Sequence, residues 1–460
     1  MIPRVVIAGT SSGAGKTSVA CGLIAALRER GLTVQGFKVG PDYIDPSYHA
    51  LASARPGRNL DAFLAGPELI APLARHGAVG ADIAVVEGVM GLFDGASGRG
   101  ELASTGHIAK LLRAPVLLVI DAASMARSAA AIVHGYRSFD PQIDVAGVIV
   151  NKVGSDHHEQ LLREAIEPLG VPVLGALRRD ARVEAPERHL GLVPATEREA
   201  RTRAALAALG AAAMTHVDLD AVLALARAAP ALTAPAWSPE PRDGPVAEGV
   251  TVAIARGPAF SFHYEENLEL LEAAGARLVP FDPLHDERLP AGAGALVLAG
   301  GFPEVFGEQL SANVALREQV AAFARTGRPV LAECGGLLYL CETLDGRPMC
   351  GVLPAGARMA GQLAIGYREA LAVSGSACWE AGAAVRGHEF HYSSLEPGEG
   401  GEAAAWELSA RGQTRREGFV AGGVHASYLH VHWAAFPWAA RRLLEVAARV
   451  GGAQPAGTWA

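Results

Sequence analysis

The feature that most constrains the fold is a glycine- and serine-rich loop near the N terminus. Residues 5–8 form an apolar run that predicts a buried strand, the loop GTSSGAGKTS follows at 9–18, and residues 19–27 predict a helix. A loop that ends in Gly-Lys-Thr between a strand and a helix is typical of phosphate-binding loops, because its backbone N–H groups and the helix N-terminus attract phosphate oxygens. Thr10 occupies the position of the usual first glycine, and Gly9 precedes it. The sequence therefore predicts a nucleotide site on an α/β fold, the alternative being an ordinary glycine-rich turn.

Several residues of this loop are candidate ATP contacts: Gly13, Gly15, Lys16, Thr17 and Ser18. We expect Lys16 to reach the β- and γ-phosphates and the Thr17 hydroxyl to bind Mg²⁺. Lysine is scarce in this chain whereas arginine is abundant, which is mostly a bias of composition. A site that needs a compact ammonium group cannot use arginine instead, so the bias draws attention to each retained lysine.

Polar residues also follow other predicted strands. Because the carboxyl ends of parallel strands form one edge of a sheet, these residues are expected near the loop. Asp45 and Glu87 are candidate Mg²⁺ ligands beside Thr17, and Lys38 is a candidate to neutralise a phosphoryl group during transfer. Asn151 is a candidate to contact the adenine edge. The alternatives are that Asp45 is a turn residue and that Asn151 caps a loop.

Strand-like and helix-like runs alternate along both halves of the chain, which predicts an α/β protein with doubly wound parallel sheets. The predicted limits are a first domain at 1–228, a Pro- and Ala-rich linker at 229–249 and a second domain at 250–448. In the second domain, helices are expected near 266–274 and 309–325. The predicted strands are 5–8, 33–39, 83–87, 115–121, 145–151, 172–177, 250–255, 277–281, 295–298 and 329–332.

Composition limits the function classes that remain. Half of the 460 residues are hydrophobic, which supports two or three domains, and no apolar run is long enough to span a bilayer. We therefore expect a soluble cytoplasmic protein without a membrane partner. The net charge of −8 gives no indication of nucleic-acid binding, and five scattered cysteines indicate neither disulfides nor a zinc site.

A second chemical centre is predicted in the C-terminal half. The segment PVLAECGGLLY at 329–339 runs from an apolar strand through Cys334 and two glycines into a helix, the pattern of a nucleophile elbow. The backbone N–H groups of Gly335 and Gly301 are candidate oxyanion-hole donors. Segment 423–433 offers three histidines as the base, and the residues alone do not choose among them: His425, His430 and His432.

Taken together, the motifs resemble those of the cobyrinic acid/hydrogenobyrinic acid a,c-diamide synthases, glutamine-dependent amidotransferases of corrinoid biosynthesis. They occur in family order over nearly the whole chain, with the linker and its flanks unmatched. The matching segments are 9–18, 38–45 (KVGPDYID), 87–95 (EGVMGLFDG), 151–155 (NKVGS), 300–304 (GGFPE), 332–336 (AECGG), 387–393 (GHEFHYS) and 426–430 (ASYLH).

This resemblance implies a division of labour. The N-terminal domain is similar to dethiobiotin synthetase, which implies that it binds ATP, Mg²⁺ and the corrinoid macrocycle and activates a carboxylate as an acyl phosphate. The C-terminal domain is similar to class I glutamine amidotransferases, which implies that Cys334 attacks glutamine and releases ammonia, with His430 as the base. Typical relatives carry a glutamate two residues after this histidine, where His432 stands here, so the resemblance implies a Cys–His dyad.

Three other interpretations stay open. Cobyric acid synthase shares both domains, and a nickel-sirohydrochlorin a,c-diamide synthase would have almost the same architecture. A switch ATPase of the deviant-Walker type is a different class, but it carries a signature lysine where Ser11 stands and has no use for Cys334. The metal of the macrocycle, the order of amidation, the preference for ATP over GTP and the oligomeric state are also open, a homodimer being among the states allowed.

Overall fold

The computed structural model describes residues 2–179, 199–240, 244–246, 249–396 and 404–451, together with the backbone of 187–188 and 191–192. The chain divides into two compact units, Met1–Ser238 and Pro239–Ala460. The limits 1–228, 229–249 and 250–448 stay a prediction, and residues 1, 180–186, 189–190, 193–198, 241–243, 247–248 and 397–403 within them lie outside the described residues.

Strands and helices alternate in the first unit. Its strands are β1 (Arg4–Gly9), β2 (Val34–Val39), β3 (Arg58–Leu60), β4 (Ile83–Glu87), β5 (Val116–Asp121), β6 (Val145–Val153), β7 (Val173–Arg178), β8 (Glu187–Arg188) and β9 (Gly191–Leu192). Its helices are α1 (Lys16–Glu29), α2 (Ile44–Ser53), α3 (Pro67–Gly77), α4 (Thr105–Leu112), α5 (Ser128–Phe139), α6 (Asp156–Ile166), α7 (Glu199–His216) and α8 (Leu219–Ala228), with a 3₁₀ turn at Glu167–Leu169.

The first seven strands form one parallel sheet in the order β3-β2-β4-β1-β5-β6-β7. Strands β1, β2 and β4 are buried along their whole length, as expected for a parallel sheet that is covered on both faces. This order places β2, β4 and β1 side by side, with Lys38 opposite Glu87 and Glu87 opposite Ile7. Three strand ends that are distant in the sequence therefore meet at one edge.

The second unit contains two sheets. Its strands are β10 (Val250–Ala255), β11 (Ala276–Phe281), β12 (Ala293–Leu298), β13 (Val330–Glu333), β14 (Cys341–Leu344), β15 (Arg347–Pro348), β16 (Leu353–Ala372), β17 (Ala384–Glu396), β18 (Trp406–Ala410), β19 (Gln413–Glu417), β20 (Phe419–Ala421), β21 (Val424–Ser427) and β22 (His430–Val431). Its helices are α9 (Glu265–Ala273), α10 (Gly307–Ala312), α11 (Val314–Arg325), α12 (Gly335–Leu340) and α13 (Trp438–Gly451), with 3₁₀ turns at Pro303–Phe306 and Trp433–Ala435.

The first of these sheets has the order β11-β10-β12-β13-β21-β20, and only its edge strand β20 is antiparallel. The second has the order β15-β14-β16-β17-β22, with β18 on β16 and β19 on β18, and it is mostly antiparallel. The α/β class is confirmed, and the second sheet is an addition that the sequence analysis did not predict.

The predicted helix over 309–325 is wrong as one element. The structure divides it into α10 and α11 at Asn313, whose side chain accepts a hydrogen bond from the backbone N–H of Leu316 at 3.3 Å. Asparagine is a preferred residue at the start of a helix, and it explains the break. No helix among the described residues is both long and apolar enough to cross a membrane. A cytoplasmic location and a homodimer stay predictions.

Candidate active sites

The phosphate-loop candidate lies between β1 and α1. Gly15 precedes the helix with a φ of 98°, a left-handed conformation that glycine adopts without strain. A Cβ atom at this position would lie 2.0 Å from Nδ2 of Asn151, so the close approach of β6 also requires glycine. That Nδ2 donates a hydrogen bond to the Ala14 carbonyl at 3.1 Å. Asn151 therefore supports the loop itself.

Lys16 is folded back over the loop. Its Nζ donates hydrogen bonds to the carbonyl oxygens of Ser11 at 2.9 Å and Met90 at 2.6 Å. Burial, followed by repulsion from Lys38, lowers the pKa of Lys16 to about 8. Gly13 is exposed, and Thr17 and Ser18 are half-buried, so this end of the helix remains accessible to a ligand.

A buried charged cluster adjoins Thr17. The Thr17 hydroxyl donates to Oε1 of Glu87 at 2.6 Å and lies 3.4 Å from Oδ2 of Asp45. Nζ of Lys38 lies 2.5 Å from that Asp45 oxygen and 2.8 Å from the Glu87 oxygen. The second Glu87 oxygen is 2.6 Å from Nε2 of His49. The structure therefore brings together the predicted residues Thr17, Lys38, Asp45 and Glu87, and it adds His49.

The two carboxylates of this cluster differ in their electrostatics. Burial alone would raise the pKa of Glu87, but the charge of Lys38 and the hydrogen bond with His49 outweigh it and hold this pKa well below its usual range. Burial and the nearby charge of Glu87 raise the pKa of Asp45. Attraction to Asp45 and Glu87 overcomes burial and raises the pKa of Lys38. Glu87 is therefore the fixed negative charge of the cluster.

The thiol candidate lies on a strained turn between β13 and α12. Cys334 has φ 46° and ψ −100°, a region that residues other than glycine seldom adopt. Its backbone N–H donates to the Ser427 carbonyl at 2.7 Å, and its Sγ donates to the Phe390 carbonyl at 3.6 Å. Strain of this kind concentrates at functional sites, and this geometry is the elbow that the sequence predicts.

The two predicted oxyanion-hole glycines lie next to each other. A Cβ atom on Gly335 would be 2.9 Å from the backbone N of Gly301, and a Cβ on Gly301 would be 2.1 Å from the Ala259 carbonyl oxygen. Side chains are therefore excluded at both positions. The two glycines therefore lie close together, with Gly335 directly after Cys334, and their backbone N–H groups stay candidate oxyanion-hole donors.

The three candidate histidines have different surroundings. His425 packs edge-on against Trp406, with 5.2 Å between ring centroids. His432 lies beside Tyr264, with 4.7 Å between ring centroids, and its Nε2 is 3.4 Å from Oε2 of Glu266. His430 is fully buried, and its Nδ1 is 3.5 Å from Oε2 of Glu333, the residue before Cys334. These contacts favour His430 as the base.

The comparisons with known proteins agree with this arrangement. The family model described as the CobQ/CobB/MinD/ParA nucleotide binding domain matches residues 5–193, and that of the CobB/CobQ-like glutamine amidotransferase domain matches 251–438. Hydrogenobyrinate a,c-diamide synthase of Streptomyces coelicolor is 58% identical over 96% of this chain and 97% of the relative. The chain belongs to the cobyrinate/hydrogenobyrinate a,c-diamide synthase family.

Other members of this family give the same result at lower identity. The hydrogenobyrinate a,c-diamide synthase of Mycobacterium bovis is 51% identical over 97% of this chain and 98% of the relative. The cobyrinate a,c-diamide synthase of Syntrophotalea carbinolica is 46% identical over 96% of this chain and 98% of the relative. The sequence-based assignment to an a,c-diamide synthase with a glutamine amidotransferase domain is confirmed.

Sequence reasoning missed two residues at the sites of this family member. His49 follows Asp45 by four residues on α2, so the helical spacing that places both side chains on one face was a usable signal. Glu333 faces His430 although the two residues lie far apart in the sequence. No local spacing indicates that second contact, because it depends on the pairing of β13 with β21.

The buried histidines predict how stability depends on pH. Burial is the main cause that lowers the pKa of His425 and of His388 to about 3. In the unfolded chain both titrate near 6.5, so the unfolded state binds more protons as the pH falls below that value. We expect the free energy of unfolding to decrease from pH 6.5 to 5, by up to about 1.4 kcal/mol per pH unit for each histidine.

Denaturant unfolding followed by tryptophan fluorescence at several pH values measures this dependence. The variant His425→Phe retains a ring against Trp406 and removes one titrating group, so its stability should decline less steeply. Equal slopes for the variant and the unsubstituted protein would contradict the prediction.

Proposed function

We propose that this protein amidates the a and c side-chain carboxylates of hydrogenobyrinic acid or cobyrinic acid, with ATP as the activating co-substrate and glutamine as the nitrogen source. One observation carries the proposal. A single chain holds a phosphate loop beside the Lys38–Asp45–Glu87 cluster in one unit, and a strained cysteine elbow beside His430 in the other. A switch ATPase would need only the first of these sites.

The first site supplies what carboxylate activation needs. A carboxylate is a poor acyl donor until its oxygen is phosphorylated, and phosphoryl transfer depends chiefly on positioning and on charge neutralisation. Lys16 would bind the β- and γ-phosphates after it releases its two carbonyl partners, and Lys38 would neutralise the transferred group. Gly13, Gly15 and Ser18 would contact phosphate through the loop and helix start. Asn151 would hold the loop in place, and its contact with the adenine edge stays a prediction.

The same site would also bind a magnesium ion. A carboxylate oxygen of Glu87 lies 2.6 Å from the Thr17 hydroxyl oxygen, and one of Asp45 lies 3.4 Å from it, so three oxygen ligands are available. Mg²⁺ prefers such ligands together with phosphate oxygens and water. These three residues would hold the ion, which supplies neutralisation of phosphate charge when bound.

The second site would make ammonia. Cys334 would attack the glutamine side-chain amide while His430 takes the thiol proton, and the N–H groups of Gly301 and Gly335 would stabilise the oxyanion. Burial, followed by the charge of Glu304, raises the pKa of the Cys334 thiol. The resting group is therefore a neutral thiol, and it needs a base at the moment of attack.

The substrate test supplies the protein with ATP, Mg²⁺, glutamine and one macrocycle at a time, and mass analysis counts the amide groups formed. We expect two amidations of hydrogenobyrinic acid, because relatives that are 49–58% identical are named hydrogenobyrinate a,c-diamide synthases, whereas relatives at 42–46% are named cobyrinate a,c-diamide synthases. Amidation of nickel-sirohydrochlorin or of a different set of carboxylates alone would reject this substrate.

Alanine substitution of each histidine tests the assignment of the base. We expect His430→Ala to slow alkylation of Cys334 by iodoacetamide at neutral pH by at least about tenfold, because the thiol then loses its proton acceptor. His425→Ala and His432→Ala serve as controls and should alkylate faster than His430→Ala. If His425→Ala or His432→Ala were the slowest of the three, the base is misplaced.

A further inference from the structure

Two histidines near the C-terminal end of the second unit each lie beside a carboxylate: His430, in β22, and His432, just after it. Nδ1 of His430 is 3.5 Å from Oε2 of Glu333, and Nε2 of His432 is 3.4 Å from Oε2 of Glu266. The side chain of Glu333 is 15% exposed, whereas the other three side chains are exposed by 1% or less. His432 stands where a glutamate orients the base in typical class I amidotransferases. Any carboxylate that orients His430 therefore comes from elsewhere in the chain.

The backbone holds Glu333 against His430. Glu333 is the last residue of β13, and in the parallel pair it lies opposite Ser427 at the end of β21. The next residue, Cys334, donates its N–H to the Ser427 carbonyl at 2.7 Å. His430 lies three residues after Ser427. The residue that follows it, Val431, accepts a hydrogen bond at its carbonyl from Nδ2 of Asn267 at 2.9 Å. Glu333 and Cys334 are thus adjacent in the sequence, and both lie against the segment 427–431 that carries His430.

Close packing also fixes the ring of His430. A Cβ atom on Gly300 would lie 2.4 Å from Cε1 of this ring, so only glycine at 300 admits the histidine. The ring of Phe262 lies 6.4 Å from it, and His388 pairs with His430 across β17 and β22. With Nδ1 facing Glu333, Nε2 is the nitrogen on the opposite side of the ring. A ring held in this way keeps Nδ1 beside the Glu333 carboxylate and leaves Nε2 on the other side as the nitrogen that would accept a proton.

We propose that Glu333 is the positioning residue of the glutaminase site, and that it completes a Cys334–His430–Glu333 triad whose carboxylate comes from the strand before the nucleophile. The inference rests on the proposed function, since it concerns glutamine hydrolysis at the same site. It replaces the dyad that the sequence implies. The pair His432–Glu266 then has a structural role.

The proton transfers balance without another reactant. The Cys334 thiol proton moves to Nε2 of His430 as Sγ forms a bond to the glutamine Cδ, and this proton passes to the leaving nitrogen as the C–N bond breaks and ammonia departs. Water then attacks the thioester, giving its proton to Nε2, and that proton returns to Sγ as glutamate leaves. Nδ1–H faces the Glu333 carboxylate, which stabilises the imidazolium in both steps.

Matched glutamate-to-glutamine variants test this assignment in the full-length protein. Glu333→Gln keeps the side-chain volume but loses the charge, so we expect kcat for glutamine hydrolysis to fall by at least about tenfold with the KM for glutamine unchanged. Amidation with ammonium should stay as in the unsubstituted protein. Glu266→Gln removes the charge from the other histidine–carboxylate pair and should retain glutaminase activity. A merely structural role of Glu333 would instead change KM or the ammonium reaction.

A second measurement uses the unsubstituted protein and does not depend on the folding of a variant. Nitrogen NMR of the ¹⁵N-histidine-labelled chain reports which ring nitrogen of His430 carries the proton, with His430→Gln identifying the signal. We expect protonation at Nδ1. A proton on Nε2, undiminished kcat in Glu333→Gln, or an equal loss in Glu266→Gln would overturn the assignment. If the unsubstituted protein hydrolyses no glutamine, the proposed function itself fails. The outcomes for Glu333 apply only when the unsubstituted protein hydrolyses glutamine, so the two failures are distinguishable.

Discussion

Cys334→Ala is expected to lose amidation with glutamine, by at least about a thousandfold, and to keep amidation with ammonium salts at alkaline pH. The reason is that the thiol serves only to release ammonia, whereas the carboxylate is activated at the other site. The two sites lie in separate compact units, Met1–Ser238 and Pro239–Ala460. Parallel assays with glutamine and with ammonium, both read by mass analysis of the macrocycle, measure the two activities.

Lys16 provides the complementary variant. Lys16→Ala should lose both activities, because nucleotide phosphates must be bound whichever nitrogen source is used. Lys16→Arg should recover little, since a planar guanidinium does not replace the compact ammonium that lies within 2.9 Å of two backbone carbonyls. Two results would contradict this separation: glutamine-dependent amidation at the usual rate by Cys334→Ala, or ammonium-dependent amidation at the usual rate by Lys16→Ala.

Much of the first site could be predicted because its signals are local. The phosphate loop is one continuous segment, and the strands that carry Lys38 and Glu87 are short and fully buried. The expectation that strand ends share one edge was sufficient to group these residues. The order β2-β4-β1, which brings Glu87 to Thr17 directly, could not be predicted, because it is set by non-local pairing.

The second unit shows where local signals end. Strands β16 and β17 pair over most of their length, yet β16 carries glycines and alternates irregularly between buried and exposed positions. Such a segment has little β-propensity of its own and depends on its partner strand. The elbow at Cys334 was predictable from its neighbours, but the contact between Glu333 and His430 requires β13 and β21 to pair first.

Glu87→Ala is expected to lower ATP-dependent amidation by at least about a hundredfold with either nitrogen source, and to leave glutamine hydrolysis unchanged. The substitution removes the acceptor that Thr17, Lys38 and His49 share. It also leaves the buried Lys38 with Asp45 as its remaining carboxylate partner in the cluster, so a loss of stability of about 3 kcal/mol should accompany it.

Two further variants separate chemistry from stability. Glu87→Gln keeps the side-chain volume and should lose amidation with a smaller change in the free energy of unfolding. Asp140→Asn is the control, because Asp140 also pairs with a lysine, Lys110 at 3.0 Å. Asp140 comes before β6, so it lies at the amino ends of the strands, whereas the proposed site lies at their carboxyl ends. It should amidate normally. Full synthase activity in Glu87→Ala would contradict the assignment of Glu87 to the metal site. Equal losses of amidation in Glu87→Gln and Asp140→Asn would show that the effect is not specific to the carboxyl ends of the strands.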